Sequence, residues 1–383
     1  MLNYKERLQD VRSFFDNNDT VLGYRKFMDC VIDTQDLKMY NRVIALTDWK
    51  EKHPTEIDEL YQKVNVILEE LAQFPITTYN VETPIAKATD IIKSYGKNRF
   101  ALGPISLEIK KRQVYGLVGE NGNGKTTLLR VLANELNYTE GVLDYHFDTP
   151  HKNSFDLRSK LVYIPQRTQR WYGSLKDNLK FVLSNYGVSP EENETRVLMM
   201  IARFGLWNYK HLKWDELSSG YKMRFELART LLRQPELLLL DEPLANLDVL
   251  AQQVILEDLK AICNSINNPI ALILSSQQLY EVEKISDKVI YLKNGKYKEK
   301  DDIPLTQSQQ LIVEIDCDCK REDLQKTLQA IGLEKLIYNG GIYVAYFSEN
   351  TSFSLVLETL GAQLLNVIYV RNISKSTRRF FVS

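Results

Sequence analysis

The sequence predicts a parallel-sheet α/β domain over residues 85–300, preceded by an all-helical segment over residues 1–80 and followed by a small α/β unit over residues 308–383. Three observations carry this. Apolar residues recur at helical spacing near the start, compact apolar runs alternate with helical patterns through the middle, and short strands and helices interleave at the end. A length of 383 residues suits two or three domains. With 44% apolar and 26% charged residues the composition is globular throughout, far from the charge-rich mix that stays disordered.

The helical segment is clearest between Thr55 and Phe74, where Ile57, Leu60, Tyr61, Val64, Ile67, Leu68 and Leu71 form one apolar stripe. Thr55, after Pro54 and three residues before Asp58, is the expected N-cap, and Pro75 the stop. Earlier helices are expected over Leu8–Phe15 and Tyr24–Ile32. The segment carries no motif with a chemical reading.

From Ile85 onward the pattern changes. Val114–Val118, Leu161–Ile164, Leu237–Leu240 and Ile270–Leu274 are apolar runs suited to strands buried on both faces, with helices between them. The last unit reads as strand Leu311–Ile315, helix Arg321–Ile331 closed by Gly332, strands around Leu336 and over Ile342–Phe347, helix Ser352–Leu360 and strand Leu364–Val370. The turn Asn339-Gly340-Gly341 supports a hairpin, and the order β-α-β-β-α-β is that of a ferredoxin-like α+β domain.

Charge is balanced, with 49 Lys and Arg against 50 Asp and Glu, so no bulk electrostatic argument favours a nucleic-acid or anionic-membrane partner. The four cysteines (Cys30, Cys263, Cys317, Cys319) include no C-x-x-C pair and are expected to be ordinary thiols of a reduced, cytoplasmic protein. Charges in Met-Leu-Asn-Tyr-Lys-Glu-Arg stand where a signal peptide needs its apolar core, and the longest apolar runs are far below membrane-spanning length. A membrane role is therefore expected to come through a partner chain.

The chemistry is announced by Gly119-Glu120-Asn121-Gly122-Asn123-Gly124-Lys125-Thr126-Thr127, which fits the phosphate-loop pattern G-x-x-x-x-G-K-[ST] between the strand Val114–Val118 and a helix bearing Leu128, Leu129, Leu132 and Leu136. Glycines let backbone N–H groups converge on phosphates, and the helix N-terminus adds its positive dipole end. Lys125 places a cation on the outer phosphates, and the Thr126 hydroxyl can ligate Mg²⁺. The expected ligands are thus ATP and Mg²⁺. The strand Leu237–Leu240 ends in Asp241 and Glu242; on a neighbouring parallel strand Asp241 would hold Mg²⁺ through water while Glu242 polarises the attacking water.

With these residues the chain resembles the ATP-binding cassette (ABC) ATPases, a P-loop NTPase family whose further motifs follow in order. Gln166 in Tyr-Ile-Pro-Gln is similar to the glutamine loop, which in that family contacts Mg²⁺ and the attacking water and couples to a partner. Leu217-Ser218-Ser219-Gly220-Tyr221 resembles the signature, commonly Leu-Ser-Gly-Gly-Gln. Ala245-Asn-Leu-Asp248 resembles the loop that crosses the dimer interface, and Tyr95 stands where an aromatic stacks on adenine. The resemblance covers residues 85–300. It implies a nucleotide-binding α/β subdomain, an antiparallel β subdomain before it, and a helical subdomain holding Trp171 to Trp214. Ser218, Ser219 and Gly220, opening a helix, would offer a second anion site with free N–H groups and hydroxyls. In the family that signature faces the phosphate loop of another cassette, so the resemblance implies that two copies of this chain, or this chain and a cassette partner, close head to tail on two ATP molecules, a homodimer being the expected case.

Two departures stand out. The family's switch histidine is expected after the strand Ile270–Leu274, but the run reads Leu274-Ser-Ser-Gln277-Gln278. A glutamine amide donates a hydrogen bond to phosphate but is never cationic. Ser-Ser-Gly-Tyr in the signature is similar to exporters, so the expected function is the ATPase subunit of an exporter, working with a separate membrane permease. The runner-up is a non-membrane cassette protein acting in translation, DNA maintenance or a regulatory complex. Arg112, where relatives carry a turn glycine, has no functional reading from sequence. The tail from Tyr369 to Phe380 resembles the extension of some exporter ATPases.

Overall fold

The computed structural model describes residues 4–76, 79, 84–97, 99–277, 282–298, 310–339, 341–348 and 350–374. Four helices come first: α1 (Tyr4–Asp16), α2 (Thr20–Ile32), α3 (Leu37–Lys52) and α4 (Ile57–Leu71). Asp19 and Asp36 cap α2 and α3 by accepting the Leu22 and Met39 N–H groups. Helix α4 is entered through Glu56 without a side-chain cap bond, so the expected cap at Thr55 is displaced by one residue. Helix α3 was not legible as a separate element. It buries Met39, Tyr40, Val43, Leu46 and Thr47 and packs on α8 (Pro190–Arg203).

The central sheet has the order β5-β6-β7-β3-β8-β9, built from β3 (Val114–Val118), β5 (Leu161–Ile164), β6 (Leu237–Leu240), β7 (Ala271–Ser276), β8 (Lys288–Lys293) and β9 (Lys296–Lys298). All neighbours pair in parallel except β8 and β9. Leu237–Leu240 and Val114–Val118 are wholly buried, as apolar runs covered on both faces must be. Strand β7 lies between β3 and β6, so the phosphate loop and the acidic pair sit one strand apart rather than side by side. Helices α5 (Lys125–Leu132), α9 (Ser219–Leu231) and α10 (Val249–Cys263) follow β3, the signature and the Asp248 loop. Helices α6 (Ser154–Lys160) and α7 (Leu175–Ser184) with α8 complete the helical part.

The antiparallel sheet has the order β2-β1-β4, from β1 (Pro84–Ser94), β2 (Ala101–Lys110) and β4 (Glu140–Tyr145). Its third strand therefore comes from beyond the phosphate loop, not from before it. Arg112 occupies a left-handed turn (φ 59°), which explains the expectation of glycine there; its guanidinium donates to the Tyr79 and Ile266 carbonyls.

The C-terminal unit runs β10 (Leu311–Cys317), α11 (Arg321–Gln329), β11 (Leu333–Asn339), β12 (Ile342–Phe347), α12 (Phe353–Ala362) and β13 (Val367–Asn372). The order β11-β12-β10-β13, antiparallel throughout, is ferredoxin-like. The last strand begins later than expected because Leu364 has φ 51°, a conformation no strand admits. Cys317 and Cys319 are joined as a disulfide, correcting the reading of four ordinary thiols; Cys30 and Cys263 are free and buried. Gly340, Gln278 and residues 375–383 lie outside the described residues.

Candidate functional site

The site is built where β3 and β6 end. Gly124 (φ 99°) opens α5, and a Cβ there would meet the Phe100 ring at 2.8 Å, so only glycine fits. Gly122 (φ 82°) has open space where its Cβ would be, leaving that side of the loop clear for a ligand. The cavity beside the loop has about 330 Å³ and is walled by Phe100, Asn121, Gly122, Gly124, Lys125, Thr126, Thr127, Gln166, Glu242 and Gln277. Eight of these ten were singled out from sequence as binding residues through the phosphate loop, the glutamine loop or the acidic pair, and Gln277 through its departure from histidine. Phe100 was not.

The polar groups converge. Lys125 is buried and donates from Nζ to the Gly119 carbonyl at 2.7 Å and the Glu120 carbonyl at 3.3 Å, with Glu242 Oε1 at 3.5 Å. Gln166 Nε2 donates to Glu242 Oε2 at 2.8 Å, and Gln277 Nε2 to both Glu242 oxygens at 3.0 and 2.9 Å. Two amides and one ammonium thus surround one carboxylate. Glu242 itself holds a left-handed backbone (φ 48°), at a cost of order 1 kcal/mol, which its partners offset.

Asp241 is buried and satisfied on every side. Thr126 Oγ1 donates to Oδ2 at 2.7 Å, Tyr163 OH to the same oxygen at 3.2 Å, and Ser275 Oγ to Oδ1 at 2.7 Å. Burial pushes the Tyr163 phenol well up from its usual range, and the Asp241 charge pushes it further, so it stays a protonated donor. Ser275 also accepts the Glu242 N–H at 2.9 Å, linking the two acidic residues through the intervening strand. Tyr163 and Ser275 escaped sequence reasoning although both stand in quoted runs, Tyr163 in Tyr-Ile-Pro-Gln and Ser275 in Ser-Ser-Gln.

Other expected residues are placed differently. Asn123 turns away from the cavity and accepts the Asn294 N–H at 2.9 Å. Tyr95 is exposed, lies under the Lys93 ammonium at 5.3 Å, and is not among the cavity walls. Ser218 caps α9 by accepting the Tyr221 N–H, and Ser219 Oγ donates to the Asn246 carbonyl at 3.1 Å. The signature hydroxyls are therefore engaged rather than free, and Ser218–Gly220 lie outside the cavity of Lys125.

The residues fit a nucleotide and its metal. A glycine loop with clear space and a buried lysine suits phosphates, and the Thr126–Asp241 pair is an all-oxygen set suited to Mg²⁺, which takes few protein ligands when phosphates supply the rest. Among the described residues no group of three or more His, Cys, Asp or Glu could hold a metal by itself. No described helix is long and apolar enough to cross a membrane.

Comparison with known proteins points to one family. The family model described as "ABC transporter" matches residues 102–245. The lantibiotic transport ATP-binding protein SrtF of Streptococcus pyogenes is 32% identical over 211 residues, which cover 55% of this chain and 87% of that protein. The phosphonates import ATP-binding protein PhnC of Treponema denticola is 28% identical, with 55% and 87% covered. Among solved structures, cbiO1 of Clostridium perfringens, part of the transporter complex cbiONQ, superposes with a TM-score of 0.52 at 26% identity, covering 57% of this chain and 88% of its own.

Proposed function

The chain belongs to the ATP-binding proteins of ABC transporters, which are ATPases, and we propose that it is the subunit that powers an exporter through a separate membrane permease. The observation that carries the reaction is the convergence of Lys125, Gln166 and Gln277 on Glu242, beside the Thr126–Asp241 pair. In this reading the phosphate loop and Lys125 bind the β- and γ-phosphates. Thr126 and Asp241, with Gln166 alongside, would hold Mg²⁺, whose charge would offset that of the phosphate oxygens. Glu242 takes a proton from the attacking water as its oxygen bonds to the γ-phosphorus and the bond to the bridging oxygen breaks. Gln277 steadies the Glu242 carboxylate and supplies a neutral donor where the family has a histidine.

Two copies close head to tail, so that Ser218–Gly220 of one chain complete the site of the other. ATP then binds the closed state more tightly than ADP does, and only that difference shifts the equilibrium. The exporter direction rests on Ser218-Ser219-Gly220-Tyr221; relatives named for lantibiotic transport and for phosphonate import are both similar, so overall likeness does not choose the direction.

The test is recovery of partners from membranes with the Glu242→Gln variant and MgATP, which should hold the closed dimer. Co-purification of a multi-spanning protein is the expected outcome. Ribosomes or nucleic acid in its place would overturn the reading.

A further inference from the structure

Two buried charged groups tie the N-terminal helices to the rest of the chain: Asp33, which accepts from Ser265 Oγ and the Ile266 N–H, and Arg203. Arg203 ends α8, and its side chain is 2% exposed. It binds Asp29 of α2 through two bonds, Nε to Oδ1 at 2.7 Å and Nη2 to Oδ2 at 3.0 Å, while Nη1 donates to Asp258 of α10. Arg25 of α2 stands 3.6 Å from the same Asp258. Bonded to carboxylates on both sides, the guanidinium ties the three helices together, and removing either carboxylate would leave the charge of Arg203 short of a partner.

Those helices lead directly to the signature side of the site. Helix α10 is capped by Asp248, the end of the loop Ala245–Asp248, and that loop receives the Ser219 hydroxyl through Asn246. Helix α8 packs on α7, which packs on the signature helix α9. Outer contacts follow the same seam: Thr195 Oγ1 donates to Asn41 Oδ1 at 3.1 Å and Asn208 Nδ2 to Glu51 Oε2 at 2.6 Å. Nothing in the seam touches the cavity of Lys125.

We propose that the Asp29–Arg203–Asp258 bridge makes the N-terminal helices a positioning element for the signature side of the ATP site. They hold α8 and α10 so that Ser218–Gly220 and the Asp248 loop present one rigid face to the partner chain. This rests on the head-to-tail reading above. Asp29 and Arg203 are positioning residues: they act on closure of the dimer and not on nucleotide capture by Lys125.

The test uses the full chain carrying Glu242→Gln, with and without Asp29→Asn. Affinity for a ribose-labelled fluorescent ATP is measured on dilute protein, and MgATP-dependent dimerisation is measured by sedimentation. The expected result is affinity within about twofold, with dimerisation weakened about tenfold and largely restored by Asp29→Glu, which keeps the carboxylate. Should Asp29→Asn not fold, the exposed pair Thr195→Ala and Asn208→Ala should weaken dimerisation about threefold with the same unchanged affinity. Unchanged dimerisation, or parallel loss of nucleotide affinity and dimerisation, overturns the proposal. A Glu242→Gln chain that binds ATP but never dimerises would bring down the head-to-tail reading, and this one with it.

Discussion

The phosphate-loop wall and the signature wall both present the N-terminus of a helix, yet they are held in place by different means. The first wall is supported from within one sheet: Lys125 by the carbonyls of its own loop, Asp241 by Thr126, Tyr163 and Ser275, Glu242 by Ser275 and two glutamines. The second wall is supported from outside, by helices that lie more than 150 residues away in sequence, through Asp29, Arg203 and Asp258. Local support makes a wall that forms whenever the sheet forms. Remote support makes one whose geometry depends on how separate units dock.

That contrast can be broken at its strong end first. Removing the ammonium by Lys125→Ala strips a charge-assisted contact from the self-contained wall, and equilibrium binding should show ATP affinity falling at least roughly 100-fold. Retained affinity would mean that the nucleotide sits elsewhere. A smaller effect is expected where the wall is shored up by its middle strand. Ser275→Ala leaves one Asp241 oxygen and the Glu242 N–H without their buried partner, and turnover at fixed Mg²⁺ should fall by about tenfold, with more Mg²⁺ needed for half-maximal rate. An unchanged Mg²⁺ dependence would remove Ser275 from the site's support.

The smallest change is a gain. Gln277 is exposed and gives Glu242 two neutral hydrogen bonds, whereas an imidazole adds a group that carries a proton near neutral pH. Steady-state ATPase assays of Gln277→His should show a rate about threefold higher, the modest size reflecting that Glu242 is already in place. An equal or lower rate would mean that the glutamine is no handicap.

The same contrast governs what could be read from the sequence. The phosphate loop was legible as a motif because its function needs small residues and one lysine at fixed spacing on one turn, whereas the turning of Asn123 toward Asn294 was not. The strand Leu237–Leu240 was legible to the residue because both faces are buried. Phe100 and Tyr163 were invisible, since an aromatic residue in or beside a strand reads as packing until its neighbours across the fold are known. Helix α3 escaped because its polar and apolar residues are mixed by serving two contacts at once, with α2 on one side and α8 on the other. Asp29 and Arg203, 174 positions apart, carry no mutual signal in a single chain. Tyr95 matches a family position for adenine stacking; its ring is exposed and lies outside the phosphate cavity, so its role stays an expectation from the motif.

The buried Arg203 has a consequence for whether the helices and the cassette can be parted. Losing the first four helices would uncover the apolar seam on α8 and leave Arg203 with Asp258 alone on a newly wetted face. The helical unit is therefore not an interchangeable module hung on a finished cassette. A cassette without these helices would need a different, more polar face on α8 in place of the residues they now cover.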